Sequence, residues 1–241
     1  MFWVATAVSL TGDQLTFIAL PWLVLKLTGD PLVMGMVIAV AAVPRALFML
    51  VGGAVTDKYS PRIVMILSNF VRMLLIALLA FLTFNQQIEI WMVFAIGFAF
   101  GLADAFMFPA AGAFPPRLLE TDRLAAGNSL IQGTAQLTLV IGPMIAALLI
   151  AWFGVNKIGI ADVAALAPVF ALDALSFIVP IAALSAIRER FPPALVVAGK
   201  IWDSLVEGLR YTWNDMPLRT FALLLGVLTL VFRGPFVVGI P

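Results

Sequence analysis

Long apolar stretches, each closed by a short polar break, organise this chain from end to end. The first spans about residues 3–27 and stops at Thr28-Gly29-Asp30-Pro31; the second, 32–55, stops at Asp57-Lys58-Tyr59-Ser60-Pro61-Arg62. A third covers 63–84 and yields to Asn85-Gln86-Gln87-Ile88-Glu89, and a fourth, 90–108, leads into Phe114-Pro115-Pro116-Arg117. A fifth occupies 124–153 and a sixth 164–187, closed by Arg188-Glu189-Arg190-Phe191-Pro192-Pro193; polarity then rises through 202–214 before a seventh begins near Leu218. A hydrocarbon layer ~30 Å thick takes about 20 helical residues to cross, and these stretches have that length without interruption. Strands of a membrane barrel would show ~10-residue segments of alternating polarity instead. The pattern predicts an all-α integral membrane protein with a six-helix transmembrane bundle over 1–187, a cytoplasmic linker over 188–217 and a seventh transmembrane helix over 218–241. The chain starts almost at its first apolar stretch and stops within its seventh, which reads as part of something longer.

Composition removes the soluble alternatives. Of 241 residues 63% are hydrophobic and only 11% charged, with a mean hydropathy of +1.11, so a soluble fold would lack the polar residues to cover its surface. No Cys and no His are present. That removes disulfides, thiolate metal sites and the usual neutral-pH general base, and no clustered carboxylate pair replaces them; the reading is a non-enzyme without cofactor or metal. The net charge of +1 is scattered and points to no nucleic acid. Its placement is informative, however. Lys58, Arg62, Arg117, Arg123, Arg188, Arg190, Lys200, Arg210 and Arg219 follow the second, fourth and sixth stretches, whereas the other breaks hold only Lys26 and Lys157. The positive-inside rule therefore puts the N-terminus in the cytoplasm. No basic n-region precedes the first stretch, so it is read as a retained span and not a signal peptide. In the linker, Ile201, Leu205, Leu209 and Thr212 share a helical stripe away from Asp203, Glu207 and Arg210, the pattern of a helix on the membrane surface or of a solvated linker helix.

Ionisable groups within spans cost ~2.5–3.5 kcal/mol each on insertion scales, so each needs a partner, an aqueous cavity or a task. Asp13 and Arg45 fall at similar depths in consecutive spans, which predicts an Asp13–Arg45 ion pair, serving either function or only helix packing. Arg72 lies inside the third span and Asp173 inside the sixth; Asp173 reads as a protonatable carboxylate in a pathway or as the hydrogen-bonding partner of a neighbouring helix. Asn128, Gln132 and Gln136 recur every fourth residue in the fifth span, an amide stripe suited to lining a pathway or to joining helices. Gly97 and Gly101 form a small-xxx-small face, and Pro21, Pro44, Pro143 and Pro180 lie inside spans.

Gly53-Ala54-Val55-Thr56-Asp57-Lys58-Tyr59-Ser60-Pro61-Arg62 resembles the loop between the second and third helices of the major facilitator superfamily, Gly-x-x-x-Asp-Arg/Lys-x-Gly-Arg-Arg/Lys, although Ser60-Pro61 replaces its Gly-Arg. Other segments are similar to the drug and siderophore efflux branch, the macrolide- and enterobactin-exporter-like members. These are Gly12-Asp13-Gln14-Leu15 with Ala19-Leu20-Pro21-Trp22, Gly101-Leu102-Ala103-Asp104-Ala105-Phe106 with Phe108-Pro109-Ala110, Arg123 to Leu130, and Phe170-Ala171-Leu172-Asp173-Ala174-Leu175-Ser176-Phe177. The antiporter glycines are present in part: Gly133 and Gly142-Pro143 stand, while Ala146-Ala147 replaces the next pair.

The resemblance implies the N-terminal half of a twelve-helix transporter, two inverted three-helix repeats, followed by the linker and helix seven. It implies export of an amphipathic small molecule from a bacterial inner membrane by alternating access, with protons as coupling ion. Asp13, Gln14, Arg45, Arg72, Asn128, Gln132, Gln136 and Asp173 would form the substrate and proton pathway. Gly53, Asp57, Lys58, Arg62 and Asp104 would form a cytoplasmic latch, with Asp104 paired to Arg62. Six helices need an opposing body to rock against, either a C-terminal half or a second copy. The alternatives are a lysophospholipid flippase of the same superfamily and a non-transporting scaffold or remnant.

Overall fold

A computed structural model of the chain describes residues 1–154, 163–187, 210, 213–221 and 223–224. The described residues form helices and no strand. The helices are α1 (Phe2–Thr28), α2 (Pro31–Lys58), α3 (Pro61–Phe84), α4 (Ile90–Ala113), a short α5 (Pro115–Leu118), α6 (Thr121–Gly154), and, after a 3-10 turn at Val163–Leu166, α7 (Ala167–Ser176) and α8 (Ile178–Ala186). Among the described residues six segments are long and apolar enough to cross a membrane: α1, α2, α3, α4, most of α6, and the turn with α7 and α8 taken together. Two compact units emerge, Met1–Ala194 and Leu195–Pro241. In the second, Met216–Thr220 is helical. The linker stripe Ile201, Leu205, Leu209 and Thr212 and most of the seventh stretch lie outside the described residues.

The polar breaks work as paired stop and start signals. Gly29 ends α1 in the left-handed region, φ 67°, and its N–H reaches the Leu25 carbonyl at 2.8 Å. One residue on, the Asp30 carboxylate accepts from the Leu32 N–H at 2.8 Å and Pro31 occupies the first helical position of α2. Pro61 starts α3 in the same way. Pro21, Pro44, Pro109 and Pro143 are carried inside continuous helices. The sixth span alone divides, at Phe177, three residues before Pro180, whose missing N–H leaves a backbone carbonyl of the preceding turn without its helical donor.

Apart from α3 and α4, consecutive spans pack little against each other. α1 packs against α6 and against α7 and α8, α2 packs against α4, and α3 packs against α4 and against α7 and α8, while α1 and α2 touch little. Exchanging the first three spans for the last three maps the α2–α4 contact onto the α6–α1 contact, maps α3–α4 onto the sixth span with α1, and returns the third–sixth contact to itself. Such a contact pattern is that of two inverted three-helix repeats. Glycines set the closest approaches: a Cβ on Gly52 would overlap the Ala105 carbonyl, and one on Gly101 the Ala41 carbonyl. Gly97 faces Ala41 and Val37 of α2 as well, so the small-xxx-small face of α4 does meet a helix.

Two apolar clusters fill the bundle. The larger includes Leu23, Ile76, Leu79, Val93, Phe170 and Phe177. The smaller joins Val64, Met65, Phe114 and Leu184, with Phe2 set edge-on to Phe114 at 5.0 Å. Leu47, Leu78 and Leu148 point outward, as lipid-facing residues do. Trp22, Trp91 and Trp152 are exposed at the bundle end opposite Lys58, Arg62 and Arg117, where an aromatic belt would sit.

Candidate functional site

Arg72 is the centre of the interior. It projects from α3 roughly 16 Å beyond Pro61, with 6% of its side chain accessible. Its Nη2 donates to Asp13 Oδ1 of α1 at 2.7 Å, and its Nε lies 3.2 Å from Asp104 Oδ1 of α4. The second contact is an ion pair without an aligned hydrogen bond, because the Nε–H finds no acceptor along its axis. Phe100 of α4 and Phe177 both present ring faces to the guanidinium, each with its centroid 4.8 Å away. A cation removed from water is thus held by two carboxylates and two π-faces, each contributing more in a low dielectric than at a surface.

Asp173 of α7 is fully buried nearby. Thr16 Oγ1 donates to its Oδ2, and the Ser176 hydroxyl lies 3.4 Å from its Oδ1. Gly12 makes this possible, since a Cβ there would collide with Asp173 and Ser176. Asn69, one turn before Arg72 on the same face of α3, is also fully buried, and neither of its amide atoms is hydrogen-bonded.

The expected Asp13–Arg45 pair does not form: Asp13 binds Arg72, and Arg45 lies 3.8 Å from Asp104 with 45% of its side chain exposed. Similar depth was not enough, because α1 and α2 barely touch and Arg45 points from α2 toward α4, its guanidinium 5.6 Å from the Phe108 ring. The Asp104–Arg62 pair does not form either. The fourth span continues as helix to Ala113, so Asp104 lies deep in the bundle and reaches Arg72. Arg62 instead donates to the Leu184 and Ser185 carbonyls at the end of α8, satisfying acceptors that a helix C-terminus leaves open. Asp57 and Lys58 are exposed, Lys58 lies 5.7 Å from the Tyr59 ring centroid, and Gly53 meets Pro109 at ordinary contact distance. Among the described residues Asp57 makes no ion pair, so the structure does not close the latch as expected.

The amide stripe of α6 faces outward. Asn128, Gln132 and Gln136 are exposed, and among the described residues none makes a side-chain hydrogen bond. α1 and α6 run in parallel, with Trp3 Nε1 donating to Thr134 Oγ1 at 2.7 Å and Gln14 packed against Gly142. Asn128 therefore sits roughly 9 Å nearer the basic end than the level of Trp3. Thr16, Ser176, Phe100, Phe177 and Asn69 were missed by the sequence reading. The first two carried a signal, since Asp13 and Thr16, like Asp173 and Ser176, are spaced i, i+3 and share a helix face.

A family model described as a transmembrane secretion effector matches residues 1–232. The chain is similar to macrolide efflux protein A of Streptococcus pyogenes, 26% identical over 161 residues, which is 67% of this chain and 40% of that protein. It is also similar to the multidrug efflux pump Tap of Mycolicibacterium fortuitum, 28% identical over 222 residues (88% of this chain, 51% of the pump), and to Tap of Mycobacterium tuberculosis, 26% identical over 226 residues (91% and 52%). The chain thus spans about half the length of the curated relatives it matches. No solved structure shows a significant match.

Proposed function

From the premise that this chain belongs to the transmembrane secretion effector family, in the efflux branch of the major facilitator superfamily, we propose that it is the substrate-handling N-terminal bundle of a proton-coupled exporter of amphipathic drugs such as macrolides. One observation carries the proposal: a buried arginine clamped by carboxylates from two helices, Asp13 of α1 and Asp104 of α4, that correspond to each other in the two inverted repeats. An ion cluster placed where the repeats meet would respond to any relative movement of the repeats, as alternating access requires. Arg45, half-exposed beside Phe108, together with Gln132 and Gln136, supplies polar groups on outward faces that a substrate cavity would use. The opposing body comes from a C-terminal half or a second copy. Lys58, Arg62, Arg117 and Arg123 lie at the cytoplasmic end of a bacterial inner-membrane protein, and Asp57 and Lys58 engage the opposing body there. The test is expression of the native reading frame in a drug-sensitive bacterium. A several-fold rise in macrolide resistance that a protonophore abolishes is the expected result; unchanged susceptibility with the protein present in the membrane would reject efflux.

A further inference from the structure

Three carboxylates converge on the interior, but only one enclosed cation answers them. Asp13 and Asp104 hold Arg72, and Asp104 also faces Arg45 at 3.8 Å. Asp173 is left over. It contacts Thr16 of α1 and Ser176 of its own helix, and Asp13 of α1 and Arg72 of α3 act on it electrostatically. Asp104 and Arg45 lie beyond Arg72. The 3-10 turn and α8 carry no ionisable side chain, and those of α6, Asp122 and Arg123, lie in its first turn, far from this level. Among the described residues no cationic group stands within ion-pair distance of Asp173, and its bonded partners are hydroxyls. With all groups ionised, the cluster of three aspartates and two arginines carries one uncompensated negative charge. That charge resides on a side chain with no water contact, where an unpaired charge in a span is costly. A hydroxyl donates to a carboxylate and accepts from a carboxylic acid equally well, so Thr16 and Ser176 serve Asp173 in both states.

Resting on the antiport reading above, we propose that Asp173, and not the Arg72-bound Asp13 or Asp104, is the side chain that takes up and releases the coupling proton. The step is a single dissociation, in which the carboxylic acid of Asp173 gives a carboxylate and one proton. Its consequence falls on Arg72. Once Asp173 is ionised, the guanidinium faces a third carboxylate, the second from the last three spans, so the proton decides how firmly the cation ties α3 to the other repeat. Asp173 also occupies in the sixth span the place that Arg72 occupies in the third, about ten residues beyond the start of each span. The proton site and its cation are therefore counterparts under the repeat exchange. Gly12 gives α1 the approach that lets Thr16 reach this carboxyl.

The experiment uses the protein expressed from its native reading frame and reconstituted in vesicles. Dicyclohexylcarbodiimide, which reacts with a protonated carboxyl in apolar surroundings, should modify Asp173 and spare Asp13 and Asp104, as read by peptide mass spectrometry. In the same vesicles a pH gradient should drive uphill erythromycin movement. Asp173→Asn should lose that drive while keeping erythromycin exchange down its own gradient. Labelling at Asp13 or Asp104 in place of Asp173, or gradient-driven transport retained by Asp173→Asn, would overturn the assignment and leave proton antiport standing. Wild-type vesicles that ignore the pH gradient would remove the antiport reading, and this assignment with it, wherever the label falls. Where Asp173→Asn fails to reach the membrane, the labelling of the wild-type protein decides.

Discussion

Arg72 and Arg45 are both arginines inside apolar helices, yet they answer to different energetics. Arg72 is enclosed, bidentate in its carboxylate partners and flanked by two aromatic rings. Removing it would strand the buried Asp104 carboxylate and the half-buried Asp13, a loss of ~3–5 kcal/mol. Arg45 is half-exposed and loosely paired, the regime in which a pair contributes about 0–1 kcal/mol. Arg72→Ala is therefore expected to lower the melting temperature sharply in detergent, whereas Arg45→Ala leaves it nearly unchanged and shows its effect in drug transport. Equal loss of stability from both would contradict the pairing found here. Arg72→Lys should not rescue, because an ammonium cannot span both carboxylates and lie flat between two rings. At the same scale, Arg62→Ala removes a charge-assisted bond to the end of α8 at a cost of ~1.5–3 kcal/mol. The expected signature is faster hydrogen exchange confined to Leu184–Ile187, and exchange spread evenly over α3 would count against it.

Between helices, contact depends on which positions lack a side chain. Gly52 and Gly101 each press α2 and α4 backbone to backbone, so Gly101→Leu drives a side chain into the Ala41 carbonyl and is expected to cost at least ~1–3 kcal/mol. Gly35, Gly112 and Gly133 are also glycines in helices, but nothing lies within 4 Å of a Cβ built on any of them. There, replacement by Ala should be neutral or stabilising by up to ~1 kcal/mol. A melting series across these variants checks the distinction, and destabilisation by Gly112→Ala would overturn it. The span positions were readable from hydropathy, because a bilayer demands uninterrupted apolar helices of fixed length. Their ends were less so. The fourth helix runs past Phe108 to Ala113 although polarity and Pro109 argue for an earlier stop, and that one turn and a half displaced Asp104 from the membrane edge to the core. Neighbour choice was not readable at all. It depends on the rotational phase of each helix and on glycine positions across the bundle, so Asp13 was assigned to Arg45 when its helix packs on α6, α7 and α8 and the long Arg72 side chain reaches it from α3.

At the level of the whole molecule, the absence of cysteine is an experimental asset. Single replacements such as Gln87→Cys and Arg123→Cys introduce unique thiols at opposite ends of the bundle. An impermeant maleimide added to intact cells should reach the first and spare the second, and the reverse result would invert the proposed orientation. The family and the fold class were foreshadowed by Gly53 to Arg62 and by the segments around Asp13, Asp104 and Asp173. Those motifs pointed to Asp13, Asp104 and Asp173, which gather around Arg72, but the partners assigned to Asp13 and Asp104 were wrong, since a motif records composition along one helix and a partner lies on another.

α6 gives the bundle an uneven length. Its 34 residues measure ~51 Å, against ~30 Å of hydrocarbon, and about its first three turns reach beyond the level of Trp3 toward Arg117. A rod that overhangs its pivot acts as a lever. Held by Gln14 against Gly142, it would carry the Thr121 tip roughly 5 Å and the other tip roughly 3 Å for a tilt of about ten degrees, so a small rearrangement around Arg72 is delivered to the surface already magnified.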